Sequence, residues 1–271
     1  MLVCVRGAGD LASGIAVRLH RAGWQVAMLD IAEPTSVRRT VCFSEAVRLG
    51  ETLVEDVRGV AVAGPDEVAA AVAAGNVAVM VDPDGRSIPA LAPDAVVDAI
   101  LAKRNLGTDL SMAPIVVGVG PGFTAPDDVD AAVETQRGHD LGRVYYRGTP
   151  APNTGIPGNI GGYTVERVLR APADGVFSGV ASIGDVVAAG DVVATVDGVP
   201  MEATIDGVLR GLLQDGLTVF RGMKAGDIDP RCEVSNCFSV SDKARSVAGG
   251  VLEALDHFRA RPRPRRPKGG E

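Results

Sequence analysis

Between residues 172 and 230 the chain repeats itself. Asp174-Gly175-Val176 recurs as Asp206-Gly207-Val208, Gly184 as Gly216, Val187 as Val219 and Gly190 as Gly222, every pair 32 residues apart. Each copy reads as D-G-V, a short strand, a glycine turn, V-x-x-G and a second apolar strand. Glycine supplies the turn conformations that other residues resist. Two copies of a unit that cannot bury its apolar face alone predict a small quasi-symmetric β-barrel over 171–231.

That pattern is similar to the barrel-sandwich fold of biotinyl and lipoyl domains, in which a half-motif is repeated and the modified lysine sits on the hairpin joining the halves. Here the joining segment is Asp197-Gly198-Val199-Pro200-Met201-Glu202-Ala203-Thr204, without lysine. No biotin or lipoate attachment is expected. Two roles remain: holding or covering something supplied by another domain or a partner, or adding structural mass or an oligomer contact.

The amino-terminal half has a different grammar. The apolar run 2–5 is followed at once by Arg6-Gly7-Ala8-Gly9-Asp10-Leu11-Ala12, and Leu11, Ile15 and Leu19 then recur at helical spacing up to Gly23. This reads as strand, glycine turn and a helix over 11–22. A second strand, 25–30, ends in Asp30. The layout matches a G-x-G-x-x-G/A dinucleotide fingerprint. Gly7 would make the tight turn, Gly9 would let the backbone approach a pyrophosphate, Ala12 would permit close helix packing, and Asp30 would accept from a ribose hydroxyl. Asp10 faces phosphate in that reading, or serves only as helix N-cap.

Further units follow: strands at 57–63 and 76–82, helices over 65–74 and 93–104, and strands at 114–120 and 142–147. Apolar strands alternating with helices indicate α/β architecture, a Rossmann-like, doubly wound parallel sheet over residues 1–150 whose crevice lies beyond the carboxyl strand ends. Residues 151–170, rich in Gly and Pro, form a connection, 232–258 a closing helical segment with Ser241 or Asp242 as N-cap, and 259–271 a disordered basic tail.

Several residues are candidates for the crevice. Gly118, Gly120 and Gly122 form a second glycine loop that either brings amides to a ligand or makes a tight turn. Arg38 and Arg39 suit bidentate phosphate contacts from the same rim. His139 is a weak acid/base candidate, with a structural hydrogen bond as the alternative. Cys232 and Cys237 lack a second ligand pair and read as structural thiols, so no metal site is expected.

The formal charge of −7 conceals an asymmetry, since the chain without residues 259–271 carries −12. An acidic body argues against a nucleic-acid surface. No apolar run reaches membrane-spanning length and the first residues lack a signal-peptide pattern, so a soluble cytoplasmic protein is expected.

Over nearly the whole chain up to about residue 257, the sequence resembles the accessory proteins of the selenium-dependent molybdenum hydroxylase system, the YqeB type. The resemblance rests on RGAGDLASG (6–14), RRTVCFSEAV (38–47), VGVGPGFTA (117–125), ETQRGHDLGRV (134–144), NTGIPGNIGGYTVERVLRAP (153–172) and DGVLRGLL (206–213). Cys42 stands where the family motif carries serine, and the Arg/Pro tail is outside the pattern. The resemblance implies an accessory or maturation role with a molybdenum hydroxylase as partner. The expected ligand is a nucleotide-bearing molecule, molybdopterin dinucleotide or NAD(P), bound by residues 7–12, Asp30, Arg38, Arg39 and the 118–122 loop. The alternatives are an NAD(P)-dependent oxidoreductase and a non-catalytic regulatory or scaffold protein, and a homo-oligomer is compatible with each.

Overall fold

The computed structural model describes residues 1–261, so the expected basic tail falls outside the described residues from 262 onward. The chain divides into two units. Met1–Pro34, Phe43–Thr154 and the segment from Val240 make the first; Thr35–Cys42 and Gly155–Ser239 make the second.

The first unit runs β1 (Leu2–Arg6), α1 (Asp10–Arg21), β2 (Gln25–Asp30), α2 (Glu45–Leu49), β3 (Glu51–Val54), β4 (Val57–Val62), α3 (Pro65–Ala73), β5 (Val77–Val81), α4 (Ile88–Leu91), β6 (Ala95–Asp98), β7 (Ile115–Val119), β8 (Ala131–Val133), β9 (Val144–Tyr145) and α5 (Asp242–Arg259). Its nine strands form one sheet in the order β3-β4-β5-β2-β1-β6-β7-β8-β9. All neighbours are parallel except at the edges, where β3 and β9 run antiparallel. Val3, Cys4 and Val5 are fully buried on both sides of β1, as a central parallel strand requires. Burial also pushes the Cys4 thiol up to about 12. The chain changes direction at β1, which pairs with β2 on one side and with the much later β6 on the other.

Three readings of this half need correction. The helix expected over 93–104 is absent; Ala95, Val96 and Val97 instead form β6 between β1 and β7, fully buried. A β-branched pair at the sheet centre overrides the helical spacing of its neighbours. The strand expected over 142–147 shrinks to β9, which pairs with β8, an Ala-Ala-Val strand too short to register as a period. Asp10 is the first residue of α1, and Gly9 is its N-cap.

The second unit contains β10 (Val168–Arg170), β11 (Gly175–Gly179), β12 (Val186–Val187), β13 (Val192–Val196), β14 (Val199–Glu202), β15 (Gly207–Leu212), β16 (Thr218–Val219) and β17 (Lys224–Asp229). These form two antiparallel sheets, β14-β13-β11-β16 and β10-β17-β15-β12. The sequence repeat is carried into structure, because β11, β12 and β13 begin 32 residues before β15, β16 and β17. Each half lends its short strand to the other: β12 pairs with β15, and β16 with β11. Phe177 and Leu209, equivalent in the repeat, are both fully buried in the shared core with Val193, Leu213 and Ile228.

The hairpin between β13 and β14 turns at Asp197-Gly198 with φ of 46° and 82°, the two positive values a tight two-residue hairpin needs. Residues expected to be a connection contribute to this unit, since β10 pairs with β17. So does Thr35–Cys42: the Val37 carbonyl accepts the Leu212 amide at 2.8 Å. The chain is thus mixed α/β, with one large, mostly parallel sheet and two smaller antiparallel ones.

Candidate functional site

Parallel strands place their carboxyl ends on one edge of the sheet, so the residues after β1, β2, β6, β7 and β8 share that edge. α1 begins there because it follows β1 directly. α5 begins there too. Near its start Arg137, just beyond β8, holds Asp242 through two bonds of 2.7 and 2.9 Å, whereas further along it Glu253 accepts from Tyr146 beyond β9. Two helix amino termini, each carrying partial positive charge, therefore open on the carboxyl edge. The helices pack closely, with Gly14 of α1 facing Ala244 and Val240 at distances that leave no room for a methyl group.

The 7–12 segment is organised as a phosphate-type turn requires. The Gly7 amide donates to Leu29 O at 2.7 Å, and φ at Gly7 is 96°. Gly9 caps α1 without a side chain, so the N-cap offers no side-chain acceptor to the first-turn amides. Leu11 and Ala12 are buried against the sheet. Asp30 at the end of β2 accepts the Ala8 amide at 3.0 Å and the Ile31 amide at 2.8 Å. Burial raises its pKa, and those two amides oppose the shift.

Gly7 also has a second neighbour. A Cβ there would lie 2.9 Å from the Ala99 carbonyl oxygen and 3.2 Å from Ile100 Cα, in the segment after β6. The same segment reaches the second glycine loop: a Cβ on Gly120 would meet Thr135 Oγ1 at 2.9 Å, with Leu101 Cδ2 at 3.5 Å, and one on Gly122 would meet the Arg104 backbone at 2.6 Å. Residues 99–104 form a strap touching both loops. Leu101 and Lys103 hold left-handed φ values of 63° and 66°, a conformation that persists in non-glycine residues only where surroundings impose it.

The strap is pinned by a buried cluster. Asp98, where β6 ends, accepts from Thr108 Oγ1 at 2.6 Å and faces Arg6 Nη1 at 3.4 Å, while Arg6 also donates to Thr108. All three side chains are almost fully buried. Asp98 further accepts the Ile100 amide at 3.1 Å.

For the second glycine loop this means tight packing rather than open amides. Gly118 lies within β7 with the Phe123 ring where a side chain would be, and the Gly120 amide is spent on Val133 O at 2.9 Å. Gly118, Gly120 and Gly122 are thereby accounted for by close chain contacts, correcting their assignment to a ligand.

Arg38 and Arg39 belong to the second unit. Arg38 is 4% exposed and donates to the carbonyls of Asn236 and Ser239, at 2.9 and 3.1 Å. Arg39 Nε donates to Leu212 O at 2.8 Å, and its side chain lines an open depression of about 350 Å³ with Thr40, Ser182 and Asp215. Their expected place on the 7–12 rim is corrected accordingly: backbone carbonyls of the second unit hold both guanidinium groups. His139 is exposed in the turn joining β8 to β9, and no hydrogen bond reaches its ring among the described residues. Cys237 is buried, which raises its pKa, and Cys232 is exposed; both are free thiols.

Sequence reading missed Lys243. It lies in the first turn of α5 at the carboxyl edge, partly buried, and no hydrogen bond or ion pair to its ammonium is formed among the described residues. Burial lowers its pKa, the charges of Lys103 and Arg137 lower it further, and Asp10 and Glu134 oppose. The Glu134 carboxylate is already engaged by three backbone amides, from Thr135, Gln136 and Ala151, at 2.7–2.8 Å. A signal was available in composition, since only four residues of the chain are lysines, against twenty-three arginines, and two of those four meet here.

No helix among the described residues is long and apolar enough to cross a membrane. No family model matches the chain. Over 254 residues it is 51% identical to the uncharacterized protein YqeB of Escherichia coli K12, covering 94% of this chain and 47% of that protein. The chain thus spans about half the length of the curated relative it matches. Among solved structures, an aspartoacylase family protein from Mesorhizobium loti aligns over 84% of each chain at 12% identity, with a TM-score of 0.29. A likeness that slight carries no argument about fold or chemistry.

Proposed function

We propose that this YqeB homologue binds a nucleotide-bearing anion at the carboxyl edge of its nine-stranded sheet and acts as an accessory protein in maturing selenium-dependent molybdenum hydroxylases. The observation that carries the binding reading is the conjunction at β1. There the chain changes direction, α1 opens without a side-chain cap, and Lys243 is held among Lys103 and Arg137 beside that opening. Ligands of open α/β sheets bind at such a switch point, and phosphates at such a helix terminus.

In this reading the first unit is a Rossmann-type domain extended by β4 and β3. The second is a biotinyl-type barrel without a carrier lysine, since its hairpin tip is Asp197-Gly198. Gly9, Asp10, Leu11 and Ala12 present the α1 terminus to phosphate, and Asp30 orders the turn through Ala8 and faces a ribose hydroxyl. Molybdopterin dinucleotide and NAD(P) both supply that chemistry. The maturation role, with a molybdenum hydroxylase as partner, comes from the family resemblance of the motifs.

Titration with NAD, NADP and a cytidine dinucleotide tests the reading through thermal shift, because a ligand at a hundred times its Kd adds about 2.7 kcal/mol to stability. The expected result is a shift with at least one, lost in Gly9→Val, whose branched side chain blocks the backbone's approach to phosphate. No shift with any of them, or an unchanged shift in Gly9→Val, refutes the site.

A further inference from the structure

Arginine and lysine differ in one chemical respect that matters here: only the lysine amine releases its proton near physiological pH when its surroundings disfavour charge, and it then becomes a nucleophile. Almost all positive charge in this chain is on arginine, with lysine only at 103, 224, 243 and 268. We propose that the Lys243 amine attacks an aldehyde or ketone that also carries an anionic group, forming an imine at the carboxyl edge of the sheet.

The geometry supplies each requirement. The nearby carboxylates have other partners: Asp242 takes Arg137 through two bonds of 2.7 and 2.9 Å, and Glu134 takes three backbone amides. Neither is hydrogen-bonded to the ammonium of Lys243. Lys103 is delivered by the strap, in a left-handed conformation with φ of 66°. The strap itself is fixed by the Asp98, Arg6 and Thr108 cluster and by the close approach of Gly122 to Arg104. Lys103 and Arg137 can receive the anionic group of the substrate, while the α1 terminus adds its partial charge. The charged groups that act on Lys243 are Asp10 from α1, Lys103 from the strap, and Glu134 and Arg137 from beyond β8, with Asp242 adjacent on its own helix; burial and the two cations shift it toward the neutral amine.

The step balances without an oxidant or reductant. The neutral amine adds to the carbonyl carbon, a C–N bond replaces the C–O π bond, and the carbinolamine loses water to leave the imine. The net change is amine plus carbonyl to imine plus water. The proposal shares its crevice with the nucleotide reading but needs no nucleotide, so the two can fail separately.

Pyridoxal 5′-phosphate, an anionic aldehyde, and pyridoxal, which lacks the phosphate, serve as probes. Each is incubated with the full chain at neutral pH, reduced with borohydride, and mapped by peptide mass spectrometry. The expected result is phosphate-dependent modification of Lys243, favoured over exposed Lys224 by about tenfold, the factor expected for each unit by which an amine's pKa is lowered. Lys243→Arg, which keeps the charge and cannot form an imine, should lose the adduct while unfolding in the same transition as the native chain. Label distributed by exposure, with Lys224 ahead of Lys243, overturns the proposal, as does an unchanged adduct count in Lys243→Arg. Equal labelling of Lys243 by both probes overturns the anionic requirement. Selective labelling alongside a flat nucleotide titration sustains the nucleophile and sinks the nucleotide reading alone.

Discussion

Asp174 and Asp206 each cap a turn in the other's repeat. Asp174 Oδ1 accepts the Arg221 amide at 2.6 Å and Asp206 Oδ1 accepts the Ala189 amide at 2.8 Å, and residues 189 and 221 are themselves one repeat apart. The conserved spacing of D-G-V within this sequence thus encodes a reciprocal pair of contacts. Asp174→Ala and Asp206→Ala should each cost about 1 kcal/mol, as the loss of a carboxylate cap on a backbone amide does. Urea denaturation should give the two variants the same midpoint. A large loss at one site and none at the other would show that the halves are not energetically equivalent.

The Arg6 and Asp98 pair should behave very differently from the exposed ion pairs of this chain. Asp98→Asn leaves a buried guanidinium without its counter-charge and should destabilise the first unit by about 3–5 kcal/mol, whereas Arg58→Ala, removing an exposed partner of Glu51, should cost under about 1 kcal/mol. Comparing the two denaturation curves checks the contrast. Thr108→Val, which deletes the hydroxyl but keeps the shape, should fall between them.

Gly7 and Gly23 both have positive φ, 96° and 87°, but only Gly7 has something in front of it. Gly23→Ala should cost about 1 kcal/mol from backbone strain alone. Gly7→Ala adds a clash with the Ala99 carbonyl and should lose a further ~1–3 kcal/mol as the strap is displaced. Thermal midpoints of the two variants would settle the order.

Lys243 gives a pH signature. Its pKa is lowered in the folded chain, so between that value and the ordinary lysine value the unfolded state binds more protons, and stability rises with pH across that window. Lys243→Met should remove this rise and leave the chain no less stable at neutral pH, the opposite of what deleting a paired lysine does. Denaturation midpoints measured from pH 7 to 10.5 for both chains test the slope.

The parts legible in the sequence were those fixed by local spacing. Leu11, Ile15 and Leu19 defined α1, and the D-G-V repeat located strands that begin 32 residues apart. Ala95-Val96-Val97 misled because its state is decided by neighbours far along the chain, β1 and β7, that no local period reports. The same holds for the candidate site. Gly7 to Ala12 and Asp30 were brought together as expected, because the turn and the next strand are consecutive. Arg38 and Arg39 were not, because their partners are carbonyls about 170–200 residues later, at Leu212, Asn236 and Ser239. Lys243 was hidden for the same reason, being more than two hundred residues from Asp10.

The passage of Thr35–Cys42 into the second unit has a practical consequence for anyone dissecting the chain. A fragment cut at the apparent boundaries of the repeat would lack β10 and the Val37 carbonyl that accepts the Leu212 amide. One cut at 155–239 would recover β10 and still leave that amide without its acceptor. The second unit is excisable only as a discontinuous piece. A permuted gene that fuses residues 35–42 to the end of 155–239 through a flexible spacer is the form in which to express it alone.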